Sequence, residues 1–184
     1  MKDSKLKQYI VAMIALFKKQ AFEAKEQADH YGPSVANYDK GLLTGYAHIL
    51  ETFKNQTFAL WIDRKDLGFD IEPEVDLLGA RRNLEEERID MESPTDPLTE
   101  HMIEGYIYEL MTSLKEEAID AKNTLENQED TDDGNEFERG YLMAYYRVIS
   151  TMQAQASRFG LDHKTYNLSI INPDLELIPS NPKK

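Results

Sequence analysis

The chain has 184 residues, no cysteine, and a formal net charge of −13. Disulfides, thiolate catalysis and cysteine-based zinc sites are therefore excluded, and the acidic balance disfavours direct binding to nucleic acid or anionic lipid. A 41% apolar fraction with 10% aromatics is enough for a core, and a single domain of this length buries roughly 70% of its unfolded surface.

The N-terminus opens with lysines ahead of an apolar run from Tyr9 to Phe17, in the manner of a secretion signal. No small-residue cleavage site follows, and the run passes directly into a polar helical pattern, so a cytoplasmic protein is expected. From Ile10 to Ala28 the apolar positions Ile10, Met13, Ile14, Phe17, Ala21, Ala24 and Ala28 alternate threes and fours, the stripe of an amphipathic helix. Tyr31, Gly32 and Pro33 stop it, and Ser34 is the expected N-cap of the next helix. That second helix carries Tyr38, Leu42, Tyr46, Ile49, Phe53 and Leu60 on one face. The short connection predicts an antiparallel hairpin.

Residues 67 to 73 mix apolar residues with turn formers and read as extended; residues 74 to 90 read as a short charged helix. Pro97 then stands near the start of a third long helix.

This third helix repeats the first. Tyr106, Ile107, Leu110, Leu114, Ala118, Ala121 and Leu125 follow the first stripe at an offset of 97. The fourth repeats the second: NYDKGLLTGYAHIL at 37–50 is matched by EFERGYLMAYYRVI at 136–149, an offset of 99. Even the exit recurs, with Ile62-Asp63-Arg64-Lys65 answered by Leu161-Asp162-His163-Lys164. The expectation is an internal duplication, residues 8–70 and 105–169 joined by a linker at 71–104, within one domain spanning 1–184. A lone two-helix hairpin cannot bury its stripe. Two copies can, by closing into a mainly all-α, four-helix bundle with approximate twofold symmetry. Short extended segments are expected after each hairpin, the second within TYNLSIINPDLELIP.

Gly41 and Gly45 lie four apart on one helix face, with Gly140 and Ala144 at the matching positions. Glycine costs about 1 kcal/mol relative to alanine inside a helix, so a close helix–helix approach is its expected justification.

Candidate chemistry is sparse. Asp130 to Gly134 suggests a calcium loop, but placing Gly134 at loop position 6 leaves Gly140 where the bidentate glutamate belongs. Glu23 and Glu26, with Glu117 and Asp120, are three-apart carboxylate pairs that resemble the magnesium-holding pairs of all-α nucleotide pyrophosphohydrolases. In that family the pairs lie on consecutive helices, whereas these are nearly a hundred residues apart. The four histidines show no metal spacing, and neither a P-loop nor a dinucleotide fingerprint occurs. No cofactor and no metal are expected.

Charge and aromatics supply the remaining signal. Residues 1–68 carry a net charge of +2, and the rest carry −15. Tyr106, Tyr108, Tyr141, Tyr145 and Tyr146 crowd the second half, close to Glu129, Asp130, Asp132 and Asp133. Positions one or two apart on a helix face different ways, so one of Tyr106 and Tyr108, and one of Tyr145 and Tyr146, should be at least partly exposed. The leading expectation is a non-enzymatic module binding another, basic protein through these residues, as a regulator or inhibitor. The alternatives are the metal-dependent pyrophosphohydrolase and a self-associating structural bundle, a homodimer.

Overall fold

A computed structural model describes residues 4–30, 32–80, 98–127 and 132–178, with the side chains of 32–36 and 132–134 left out of account. The protein is mostly helical, and among the described residues there is no strand. Four long helices dominate: α1 (Lys5–His30), α2 (Gly32–Ala59), α4 (Glu100–Asn127) and α5 (Asp132–Phe159). Two four-residue helices, α3 (Pro73–Asp76) and α6 (Pro173–Glu176), follow the second and fourth of these. Helix α2 begins two residues before the expected cap at Ser34, with Pro33 in its first turn, where a missing N–H costs nothing.

Every pairing of the four long helices is in contact, and α2 against α5 is the most extensive. The buried face of α1 consists of Leu6, Tyr9, Ile10, Met13, Ile14, Phe17, Ala21 and Ala24. Adding 97 to each gives the buried face of α4 without exception: Ile103, Tyr106, Ile107, Leu110, Met111, Leu114, Ala118 and Ala121. Two deep hydrogen bonds follow the same correspondence. The Tyr9 hydroxyl donates to the Met152 carbonyl at 2.9 Å, and the Tyr106 hydroxyl donates to the Phe53 carbonyl at 2.8 Å. Burial pushes both phenols well above their ordinary pKa, so each stays a neutral donor.

The crossing of α2 and α5 depends on small residues. A Cβ added to Gly41 would sit 1.9 Å from the Phe137 carbonyl oxygen, and one added to Gly140 would sit 2.0 Å from the Tyr38 carbonyl oxygen. At Gly45 a Cβ would meet the Ala144 methyl at 2.6 Å. The backbones touch here, so no side chain fits between them.

The segments expected to be extended instead fold as turns. After α2, Asp63 caps a 3-10 turn at Arg64–Leu67, accepting from the Lys65 N–H, and Gly68 ends it in the left-handed region at φ 72°. After α5, Asp162 accepts from the Thr165 N–H at 3.0 Å, and Asn167 takes the left-handed position at φ 57°. Pro73 and Pro173 then open α3 and α6. These stretches make backbone hydrogen bonds locally, over three to six residues, and Lys18 and Gln153 donate to the carbonyls of Gly68, Leu168 and Ile171. Their apolar side chains are single plugs: Leu67, Phe69 and Leu77 after α2, Leu168, Ile171 and Leu177 after α5. Plugs of this kind need no partner strand. Of the charged helix expected at 74–90, α3 accounts for the start, and 81–97 lie outside the described residues.

Trp61 is no plug. It is 69% exposed and holds a left-handed backbone, φ 54°, at the position where the second hairpin has Gly160 at φ 68°. Ion pairs secure the segment after α2, Lys18 with Asp70 at 2.5 Å among them. Glu72 pairs with Arg64 and with Lys54 at 2.9 Å, and Lys54 also reaches Glu51 at 2.8 Å.

Candidate functional site

The crowd of tyrosines separates into different environments. Tyr106 is wholly buried and offers no surface to a partner, because it lies on the inward stripe of α4. Tyr108, two residues on, points outward and is 49% exposed. Tyr145 is likewise in the core, while Tyr146 reaches the surface and donates to the Asp174 carboxylate at 2.6 Å, tying α5 to α6. That carboxylate holds the Tyr146 phenol above its ordinary pKa. Glu129 and Asp130 lie outside the described residues; Asp132 and Asp133 form the first turn of α5, and their side chains are not described.

Tyr141 and Tyr145 are brought together around Glu117. The half-buried Glu117 carboxylate accepts from the Thr52 hydroxyl at 2.9 Å and from the Tyr145 hydroxyl at 3.2 Å. The Tyr145 and Tyr141 hydroxyls stand 3.4 Å apart, and Nδ1 of the exposed His48 meets the Tyr141 hydroxyl in a short hydrogen bond. Stacking on Phe137, with centroids 6.5 Å apart, keeps the Tyr141 ring in place. Burial, and then the Glu117 carboxylate, pushes the Tyr145 phenol far up; burial raises Tyr141 as well. Both therefore remain neutral donors. The chain His48–Tyr141–Tyr145–Glu117 runs from solvent into the seam between α2, α4 and α5, and it holds a carboxylate without a cation.

The carboxylate pairs do not converge. Glu23 and Glu26 are exposed on α1, with Glu23 near Lys19 at 3.6 Å, and Asp120 is exposed on α4. Among the described residues no three His, Asp or Glu side chains are placed to hold a metal ion. The two pairs are not even counterparts. Tyr46 donates to Gln20 Oε1 at 3.3 Å, just as Tyr145 donates to Glu117, so Glu117 corresponds to Gln20, and Glu23 to Asp120.

Of the four long helices, α4 carries the largest net charge. This helix carries seven acids against two lysines, whereas α1 carries three acids against five lysines. Glu104 stands where α1 has Lys7, Glu116 where α1 has Lys19, and Glu109 where α1 has Ala12. Tyr108 lies among them. Behind it, Asn167 Nδ2 donates to the Thr112 hydroxyl at 3.0 Å, which itself donates to the Tyr108 carbonyl at 3.0 Å, so the second exit loop braces this turn. Sequence reasoning did not single out Glu104, Glu109 and Glu116; comparing α1 with α4 at an offset of 97 would have found the sign inversions.

Compared with known protein families, with curated proteins and with solved structures, the chain matches none. No helix among the described residues is long and apolar enough to cross a membrane.

Proposed function

We propose that this chain is a non-enzymatic, cytoplasmic protein-binding module. In this reading a helical hairpin has been duplicated and closed on itself as a four-helix bundle with approximate twofold symmetry, and one copy has become the docking face. The matching buried stripes of α1 and α4, the paired Tyr9 and Tyr106 hydrogen bonds, and the reciprocal approaches at Gly41 and Gly140 all favour the duplication. The partner is a basic protein, and the module acts on it as a regulator or inhibitor.

One observation carries the docking face. Two helices with the same inward stripe have opposite outward charge, and the acidic one presents a half-exposed tyrosine. Packing explains the shared stripe but not the inversion. A tyrosine offers large contact area at low entropy cost, while the surrounding carboxylates speed encounter with a cationic surface. The pyrophosphohydrolase alternative has less support, since Glu117 is committed to Thr52 and Tyr145 while Glu23 and Glu26 are exposed on another helix.

The test is affinity capture from host lysate with the wild-type chain and a Tyr108→Ala/Glu109→Lys/Glu116→Lys variant, with helicity checked by circular dichroism. The expected result is a basic protein retained by the wild type and weakened roughly 30-fold or more in the variant, the equivalent of about 2 kcal/mol for one aromatic anchor. Its retention should also fall as salt rises. A captured set unchanged by the folded variant would remove α4 as the docking face.

A further inference from the structure

The correspondence that pairs Gln20 with Glu117 exposes a difference between the two hairpins. In the second, the Thr52 and Tyr145 hydroxyls converge on the Glu117 carboxylate. Their counterparts in the first are Thr151 and Tyr46, and they face an open cleft of about 440 Å³. Gln20, Glu23, Tyr46, Arg147, Ser150 and Thr151 line it. The carboxylate is missing there, because Gln20 is a neutral amide that meets the Tyr46 hydroxyl only at 3.3 Å. The Thr151 hydroxyl has no hydrogen bond to any described residue. A cation has been added, since Arg147 occupies the place of His48 and lines the cleft beside Tyr46, where its charge works against the rise that burial gives the phenol's pKa. Space has been made too: Leu42 stands where Tyr141 fills the other side.

We infer that this cleft binds a small-molecule monocarboxylate, whose carboxylate group takes the position that the Glu117 side chain occupies in the other hairpin. Tyr46 and Thr151 donate to it, and Arg147 supplies the charge that stabilises it. The volume falls within the range of small-ligand sites and suits a molecule of amino-acid size. Glu23 on the rim, already near Lys19 at 3.6 Å, repels a second negative charge on the ligand and accepts an ammonium group. Simple acids and α-amino acids share the carboxylate chemistry, and they differ only in what meets Glu23. No α4 residue lines the cleft, so occupancy here and docking on α4 are tested separately.

The experiment is a titration of the ¹⁵N-labelled full chain with propionate, L-alanine and the uncharged isostere propionamide at millimolar concentration and matched ionic strength. Either carboxylate should shift the amide resonances around Gln20, Gln27, Arg147 and Thr151, and propionamide should not. A response to L-alanine alone assigns an amino-acid site, and a response to both assigns a simple carboxylate site. Arg147→Gln should weaken binding at least about tenfold, as loss of a charge-assisted hydrogen bond does. Gln20→Glu should abolish it, by supplying the carboxylate from within as Glu117 does. Unchanged far-ultraviolet dichroism establishes that both variants are folded. No shift with either carboxylate, an equal response to propionamide, or binding that survives Gln20→Glu overturns the assignment.

Discussion

Substituting alanine for glycine normally strengthens a helix, by about 1 kcal/mol. At Gly41 the sign should reverse. The added Cβ would lie 1.9 Å from the Phe137 carbonyl oxygen, a backbone atom that no rotamer change can move aside. Reaching even 3.0 Å, below which such contacts are essentially never seen, requires α2 and α5 to separate by 3.0 − 1.9 = 1.1 Å at their most extensive contact. Overpacking of a well-packed interior costs about 1–3 kcal/mol and at times more. A clash with backbone belongs at the upper end of that range, so after the gain in helix propensity is subtracted Gly41→Ala should destabilise by about 2 kcal/mol, which for a chain of this size lowers Tm by roughly 4–8 °C. Gly140→Ala, meeting the Tyr38 carbonyl oxygen at 2.0 Å, should behave alike. Gly105 is the internal control: it lies within α4, and a Cβ there meets nothing within 4 Å. Gly105→Ala should stabilise by about 0.5–1 kcal/mol. Urea unfolding followed at 222 nm measures all three. Should Gly41→Ala and Gly105→Ala shift stability equally and in the same direction, close backbone contact is not what holds α2 against α5.

The buried phenols make the fold sensitive to alkali. Their pKa is raised on folding, so their contribution is complete below the ordinary value of 10.0 and is lost as pH rises beyond it. Above pH 10 each should cost about 1.4 kcal/mol per pH unit, and Tyr9→Phe or Tyr106→Phe should each reduce the slope by that amount while costing about 1 kcal/mol at neutral pH. Parallel slopes for wild type and variants would contradict this. Acid acts on Glu72 in the opposite sense. Burial raises its pKa, but Arg64 and Lys54 outweigh that and hold it below the ordinary 4.5. Its contribution is therefore present above 4.5 and disappears as pH falls through the lowered value. The stability difference between wild type and Glu72→Gln, on the order of 1 kcal/mol for partly exposed pairs, should shrink between pH 6 and 3 in urea titrations. A gap that stays constant would mean that Glu72 carries no charge-dependent stabilisation.

Much of the helical architecture was legible in the sequence, because helix formation and facing are local. A spacing of threes and fours marks the inward side of a helix wherever that helix ends up, so most of the stripes of α1 and α4 was readable. The expected stripes lack Leu6, Tyr9, Ile103 and Met111, and Ala28 and Leu125 within them are only partly buried. The recurrence of GLLTGY as GYLMAY likewise marked small residues at matching places before any contact was known. Composition and charge excluded thiol chemistry and pointed away from nucleic acid for equally local reasons.

What lies opposite each stripe was decided only by the tertiary structure. Periodicity places Tyr106 on the inward stripe, but only the packed structure shows that Tyr106 is wholly covered and that Tyr108 keeps about half of its surface. The turns after α2 and α5 resemble strands in composition, since isolated apolar plugs and alternating strand residues are indistinguishable when the surface they cover is unknown. The offset of 97 pairs Glu117 with Gln20 already in the sequence, but that the hydroxyls of Tyr145 and Tyr46 point at them was visible only in the packed structure. The sequence by itself determined that the chain is helical and that α1 and α4 carry matching inward faces. Packing of the helices decided where they differ, with Glu117 accepting from Thr52 and Tyr145 while the cleft beside Gln20 and Arg147 stays open.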